Sequence, residues 1–277
     1  MIKQLLFKGF SASLLFWVCY ACSDATSKTK TIADTAALHT NNILPAEVKN
    51  TIDSNQKVIY LTFDDGPQHG TMAVARLCQQ LHIKASFFMV GSHAEQKSDG
   101  FKIVDSIKRA YPLLLLANHS YSHAYSKYRY FYQHPQTAFD DFIKNQQLLA
   151  VPYKIIRLPG NSAWVTQNRL KASDLVKPVC NLLNNAGYNV TGWDVEWSFN
   201  HKTANPVQSA DKMTGMIDSA FAKDKVFTKN HLVLLSHDRM FRSPQYLDSL
   251  ARFIQLLQKN KDYRFETIDH YPQLKPL

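Results

Sequence analysis

Val58-Ile59-Tyr60-Leu61-Thr62-Phe63 runs directly into Asp64-Asp65-Gly66-Pro67. Six apolar and β-branched residues in a row read as a strand buried on both faces, and the Gly-Pro pair ends it in a turn. Outward from there the pattern alternates. Residues 71–81 form an amphipathic helix with Val74, Leu77, Cys78 and Leu81 on one face, and residues 85–90 a second strand. A helix over 101–109 precedes a third strand, 113–116, which leads into Ala117-Asn118-His119. Residues 138–149 are helical, and Ile155-Ile156 opens into Arg157-Leu158-Pro159-Gly160. Helix 175–185, strand 188–193, helix 213–222, strand 231–235 and helix 246–258 complete the chain. Strands separated by helices imply an α/β fold with a parallel sheet and helices outside it. Polar clusters recur just after the strands, at the carboxyl edge where such folds place their sites. The alternation fits a barrel and a doubly wound sheet equally.

Composition bounds the function. The chain has 277 residues, 45% hydrophobic and 19% charged, which excludes wholesale disorder. Nine glycines and eleven prolines exclude a collagen-like chain, and four cysteines are too few for a disulfide scaffold. Cys78 and Cys180 sit in apolar helical patterns and read as buried thiols, with a bridge between them as the alternative. The net charge of +10 suits an anionic polymer or surface. No basic helix or aromatic–basic repeat supports a nucleic-acid partner.

Residues 1–21 read as a signal peptide: Lys3 and Lys8, an apolar run over 14–20, then Ala21-Cys22. The Ala-Cys ending resembles a bacterial lipoprotein signal, which implies membrane attachment through a lipidated Cys22; ordinary cleavage would leave that thiol free. Residues 22–56 are a polar tether, and 57–277 form one catalytic domain. The protein is therefore expected in the periplasm or cell envelope, as a monomer.

The strand ends carry the chemistry. Asp64 and Asp65 follow the first strand. His119 and His123 follow the third, with a spacing that puts both imidazoles on one face if the turn is helical. Two histidines and a carboxylate hold a metal while leaving positions open for water and substrate. The same set suits a non-haem iron oxygenase, but no cosubstrate site stands out. Arg157, Asp194, Glu196, Trp197 and His237 follow further strands.

Five segments resemble the motifs of the polysaccharide deacetylases, the NodB-homology domains of carbohydrate esterase family 4. They are Thr62-Phe63-Asp64-Asp65-Gly66-Pro67, His119-Ser120-Tyr121-Ser122-His123, Arg157-Leu158-Pro159-Gly160, Trp193-Asp194-Val195-Glu196-Trp197 and Leu235-Ser236-His237. The resemblance implies a distorted, incomplete (β/α) barrel and removal of N-acetyl groups from an N-acetylglucosamine-containing polysaccharide. It implies Asp65, His119 and His123 as ligands of a divalent metal, usually zinc, with cobalt, nickel or manganese as alternatives. Asp64 would be the base, Arg157 would position it by charge pairing, and His237 would be the acid. Asp194 or Glu196 would hold Arg157 or His237, and Trp197 would line the pocket. The third motif departs from the family, which places an aromatic where this chain has Gly160. The Gly160 N–H, presented after Pro159, would still serve the oxyanion, with Trp164 filling the vacated space. The fourth motif ends in Glu-Trp where the family has Asp-Trp. The aromatic stretch 124–151 would be a sugar-stacking surface or a packed excursion. A carbohydrate-binding lipoprotein on the same fold, or an amidase or esterase acting on another acylated substrate, are the rival functions.

Overall fold

Fully buried strands need apolar side chains on both faces, and the runs identified above supply them. The computed structural model describes residues 56–276; the signal, the lipidation at Cys22 and nearly all of the tether lie outside the described residues. In chain order the elements are β1 (Lys57–Gly66), α1 (Thr71–Gln80), β2 (Ala85–Met89), α2 (Gly91–Gln96), α3 (Gly100–Arg109), β3 (Leu114–Asn118), α4 (Tyr128–Gln133), α5 (Pro135–Leu148) and β4 (Ile155–Ile156). Then come β5 (Trp164–Val165), β6 (Leu170–Lys171), α6 (Lys177–Asn185), β7 (Asn189–Val190), β8 (Val195–Glu196), α7 (Ala210–Ala222), β9 (His231–His237), α8 (Pro244–Gln258) and β10 (Tyr263–Phe265).

All ten strands join one curled sheet of order β6-β5-β7-β4-β3-β2-β1-β9-β8, with β10 also paired to β1. The path ends at β6 and β8 without closing, so the barrel is incomplete. Pairing is parallel from β4 through β3, β2, β1 and β9 to β8. The β5–β6 hairpin is antiparallel, an element too short and too exposed on β6 to register as a periodic pattern. The expected strand over 188–193 shortens to β7. Beyond it, the Thr191 and Gly192 carbonyls turn to Arg157, accepting from Nε at 3.3 Å and Nη2 at 3.0 Å.

Strand parity sorts the core. Ile59, Leu61 and Phe63 of β1, Leu114 and Leu116 of β3, and Leu232 and Leu234 of β9 pack outward against α1, α3, α7 and α8. Val58, Tyr60, Phe88, Leu115, Ala117, Ile155 and Val233 point inward and form the barrel floor with Trp164 and Tyr271. A third cluster packs α5 and α6 against Ile156 and Val190. Continuing the inward parity by two residues gives Thr62 and Asp64 on β1, His119 after β3, Arg157 after β4 and His237 on β9. The site is the polar end of the inner face.

Cys78 and Cys180 are unbridged, buried thiols in separate apolar clusters. Burial pushes both up to about 12. No helix among the described residues is long and apolar enough to cross a membrane.

Candidate active site

The register between β1 and β9 sets Asp64 beside His237, and Arg157 N donates to the Asn118 carbonyl at 3.0 Å, setting Arg157 beside His119. Asp64, His119 and His237 line a cleft of about 500 Å³, with Arg157 buried behind Asp64.

Adjacent residues of a regular strand point to opposite faces. Asp64 and Asp65 escape this because the β1–β2 register shifts between Asp64 and Gly66, and Asp65 takes φ +74°. That is a bulge, which turns the second carboxylate back into the cleft. His93 at the start of α2 holds the bulge, its Nδ1 donating to the Asp65 carbonyl at 2.7 Å. Burial lowers the His93 pKa, keeping the ring neutral.

Arg157 is completely buried. Its Nη1 donates to Thr62 Oγ1 at 2.6 Å and to Asp64 Oδ1 at 2.9 Å, and the guanidinium stacks 4.2 Å from the Phe88 ring centroid. The guanidinium therefore occupies one Asp64 oxygen and leaves Oδ2 facing His119 Nε2 at 3.6 Å.

His119 follows β3 directly and His123 opens a tight left-handed turn, so no right-handed helix carries both. Ser120 has φ +71°, and His123 to Ser126 all lie in the left-handed region. Such backbone costs roughly 1–2 kcal/mol per residue and persists only where its surroundings enforce it. Asp141 of α5 accepts from Tyr121 N and Ser122 N at 2.8 and 3.1 Å, and Asn118 Oδ1 accepts from Ser120 N at 2.9 Å. The loop thus bends His123 back over His119, their ring centroids 5.2 Å apart.

His119 Nδ1 faces the Arg157 carbonyl at 2.9 Å and must carry the proton there, because a carbonyl only accepts. In the neutral ring Nε2 is then a bare lone pair, aimed at Asp65 Oδ1 3.4 Å away. His123 Nε2 lies 2.9 Å from the same oxygen, which is buried and has no hydrogen-bond partner. These three ligand atoms lie within 4.8 Å of one another, a group that could hold a metal ion. Without one, burial opposes charge on both partners, yet the carboxylates raise His119 and the histidines hold Asp65 well below the usual range. The donor set fits a small divalent ion.

His237 completes the cleft, its Nε2 3.8 Å from Asp65 Oδ2 and its ring edge-on to Phe199. Burial lowers its pKa, with Asp65 and Asp64 opposing that shift.

The sequence profile of the polysaccharide deacetylase family matches residues 51–188. The chain belongs to the polysaccharide deacetylase family. It is 27% identical over 303 residues to a chitin disaccharide deacetylase of Vibrio alginolyticus, covering 77% of this chain and 71% of that one. It is 25% identical to a peptidoglycan-N-acetylglucosamine deacetylase of Bacillus cereus, covering 78% and 72%. The catalytic domain of a peptidoglycan N-acetylglucosamine deacetylase from Eubacterium rectale superposes with TM-score 0.57 at 25% identity, covering 84% of this chain and 98% of that structure.

This polysaccharide deacetylase departs from the expected site at three side chains. Asp194 makes no hydrogen bond or ion pair with Arg157 or His237 and acts on Arg157 only through its charge: its carboxylate accepts from Phe227 N at 2.6 Å and Val233 N at 2.8 Å, and burial pushes it up to about 6. Glu196, two residues on, is the acid of the fourth motif that lines the cleft. Trp197 is fully buried under Phe241 and Phe253, and its Nε1 donates to the Gln208 carbonyl at 2.9 Å, so it is core and not pocket. Trp164 stacks on Phe227 at 4.3 Å in the barrel floor and does not fill the place beside Gly160.

That place belongs to Tyr128. Gly160 has φ +66°, and a Cβ there would meet the Tyr128 ring at 3.1 Å. The aromatic lost from the third motif is supplied from α4, with Tyr132 Oη donating to the Pro159 carbonyl at 2.7 Å to hold the turn. The aromatic stretch divides: Phe131 and Tyr132 are buried, Tyr125 and Tyr130 are exposed, and Tyr128 enters the cleft. Trp193, Phe199, His93 and Arg239 also line it and were not singled out by sequence. Their signal is only proximity to a strand end or motif, which many inert residues share.

Proposed function

We propose that the chain is a metal-dependent deacetylase that removes N-acetyl groups from an N-acetylglucosamine-containing polysaccharide. The observation that carries this reading is the convergence of Asp65 Oδ1, His119 Nε2 and His123 Nε2 beside an Asp64 whose second oxygen is left free by Arg157. A divalent ion at that triad, zinc by preference, would polarise the acetyl carbonyl and acidify a bound water. Asp64 Oδ2 takes the proton of the attacking water. Gly160 N–H, which makes no hydrogen bond among the described residues, donates to the oxyanion developing on the acetyl group. His237 Nε2 delivers a proton to the departing amine, and acetate and a free amino sugar result. Burial lowers the His237 pKa, so the ring takes up within the reaction the proton that Asp64 drew from the water and passes it to the amine, which returns both groups to their starting state.

The relatives' names, chitin disaccharide and peptidoglycan N-acetylglucosamine deacetylases, favour glucosamine-based substrates. The signal-like residues 1–21 and Cys22 support an exported, lipid-anchored envelope protein. The test is acetate release from N-acetylglucosamine oligomers and peptidoglycan by zinc-loaded protein. Asp64→Asn is expected to retain metal and lose turnover; full activity in that variant would remove Asp64 as the base.

A further inference from the structure

Arg239 has no place in the chemistry above, yet it lines the cleft together with His237. Its guanidinium lies 4.7 Å from the Phe199 ring centroid, and its Nε is buried with no hydrogen-bond partner. Among the described residues it makes no ion pair and its guanidinium makes no hydrogen bond. Arg242, one turn on, makes no ion pair either; it donates only to the Arg239 and Thr203 carbonyls, at 3.1 and 2.6 Å. Arg239 also lines an adjoining groove of about 420 Å³, shared with the cleft through Gln68 and His93. That groove is walled by Arg242, Lys97 and His69 and contains no carboxylate.

The site's own carboxylates do not account for this charge. Asp64 is paired with Arg157, and Asp65 with the two histidines. Glu196 remains in the cleft, exposed, and its charge acts on His237. Arg239 Nη1 and Nη2 are not closed off as Nε is, and an unpaired guanidinium at a cleft is open to an acceptor carried by a ligand. A planar fork braced on an aromatic face suits a carboxylate.

We infer that Arg239, with Arg242 behind it, receives a carboxylate of the substrate, so that the preferred glycan carries an acidic substituent near the N-acetyl group that is cut. The inference rests on the deacetylase reading and adds the substrate class: an acidic, carboxylate-bearing glycan over a neutral one. The overall excess of cations, +10 for the chain and +8 once Lys3 and Lys8 leave with the signal, acts in the same direction at longer range.

The experiment uses soluble peptidoglycan fragments, which bear carboxylates, and the same fragments with those carboxylates capped as methylamides. Acetate release is measured on both. The native enzyme is expected to prefer the uncapped fragments by roughly tenfold or more in kcat/KM, mostly through KM, as one charge-assisted contact implies. Raising salt should shrink that preference. Arg239→Gln is expected to bring the preference below about threefold, and Arg239→Lys to restore part of it, charge without the fork. Equal kcat/KM on capped and uncapped fragments by the native enzyme would overturn the inference while leaving the deacetylase reading standing. An equal loss on both substrates in Arg239→Gln would also overturn it. Acetate from N-acetylglucosamine oligomers but from neither fragment would overturn it too, and acetate from none of the three would remove the deacetylase reading itself.

Discussion

Replacing Arg157 with methionine tests how the base is held. Methionine keeps much of the stem that packs on Phe88 but removes the guanidinium. Asp64, 3% exposed, then loses the cation 2.9 Å from its Oδ1. The Thr191 and Gly192 carbonyls lose their donors as well. Stranding one partner of a buried ion pair costs about 3–5 kcal/mol, and the carbonyl losses overlap with that figure without adding fully. A cost of about 4 kcal/mol lowers Tm by roughly 8–16 °C at about 2–4 °C per kcal/mol for a domain of this size. Removing both charges, as Arg157→Met with Asp64→Asn, should regain at least about 2 kcal/mol, because the stranded anion is then gone. The assay is urea unfolding of all four proteins in chelator, so that metal binding adds nothing to stability, with acetate release measured separately on zinc-loaded samples. The double variant should be the more stable of the two Arg157→Met proteins and stay inactive. An Arg157→Met cost under about 1 kcal/mol, or no recovery on adding Asp64→Asn, would refute the buried pair as the device that positions the base.

His119→Ala should cut bound zinc, measured by elemental analysis, to well under one equivalent, because two ligands do not hold the ion; retention of a full equivalent would refute the triad. Tyr128→Ala removes the ring against Gly160. It should raise KM for glycan roughly tenfold with a smaller change in kcat, read from steady-state acetate release. Glu266 is buried and accepts from Lys84 and Arg264, both at 2.6 Å, and these contacts outweigh burial and depress its pKa. A depressed carboxyl stabilises the fold above its unfolded pKa of about 4.3 and loses that contribution as pH falls through the folded value. Glu266→Gln should therefore cost about 1–2 kcal/mol at pH 7, allowing for partly exposed cations, and the difference should shrink below about pH 4 in urea titrations.

Much of this was legible without coordinates. The apolar run at 58–63 reads as a strand because it is short, rich in β-branched and aromatic residues and closed by a Gly-Pro turn. His119, Arg157 and His237 declare themselves by following strands, since the carboxyl edge of a parallel sheet is where polar groups collect. The two-residue strands β5, β6 and β8 were invisible, being too short for any period to show. The fourth motif misled for a related reason. Asp194, Glu196 and Trp197 look alike as polar and aromatic residues after a strand. The chain turns between them, sending Asp194 to backbone amides, Glu196 to the cleft and Trp197 to the core.

By itself, then, the sequence determined the order of the longer strands and helices and the polar residues that follow the strands, because both follow from local burial and turn chemistry. Tertiary structure decided which face of each strand is the inside, since both faces are apolar and parity alone does not choose. It decided that Asp64 and Asp65 both face the cleft, through a bulge set by pairing with β2. It brought Arg157 to Asp64 across 93 positions, and Tyr128 into the space beside Gly160. It left Arg239 unpaired beside the reacting groups. Each of these depends on contacts between distant segments, whose free energy no local pattern encodes.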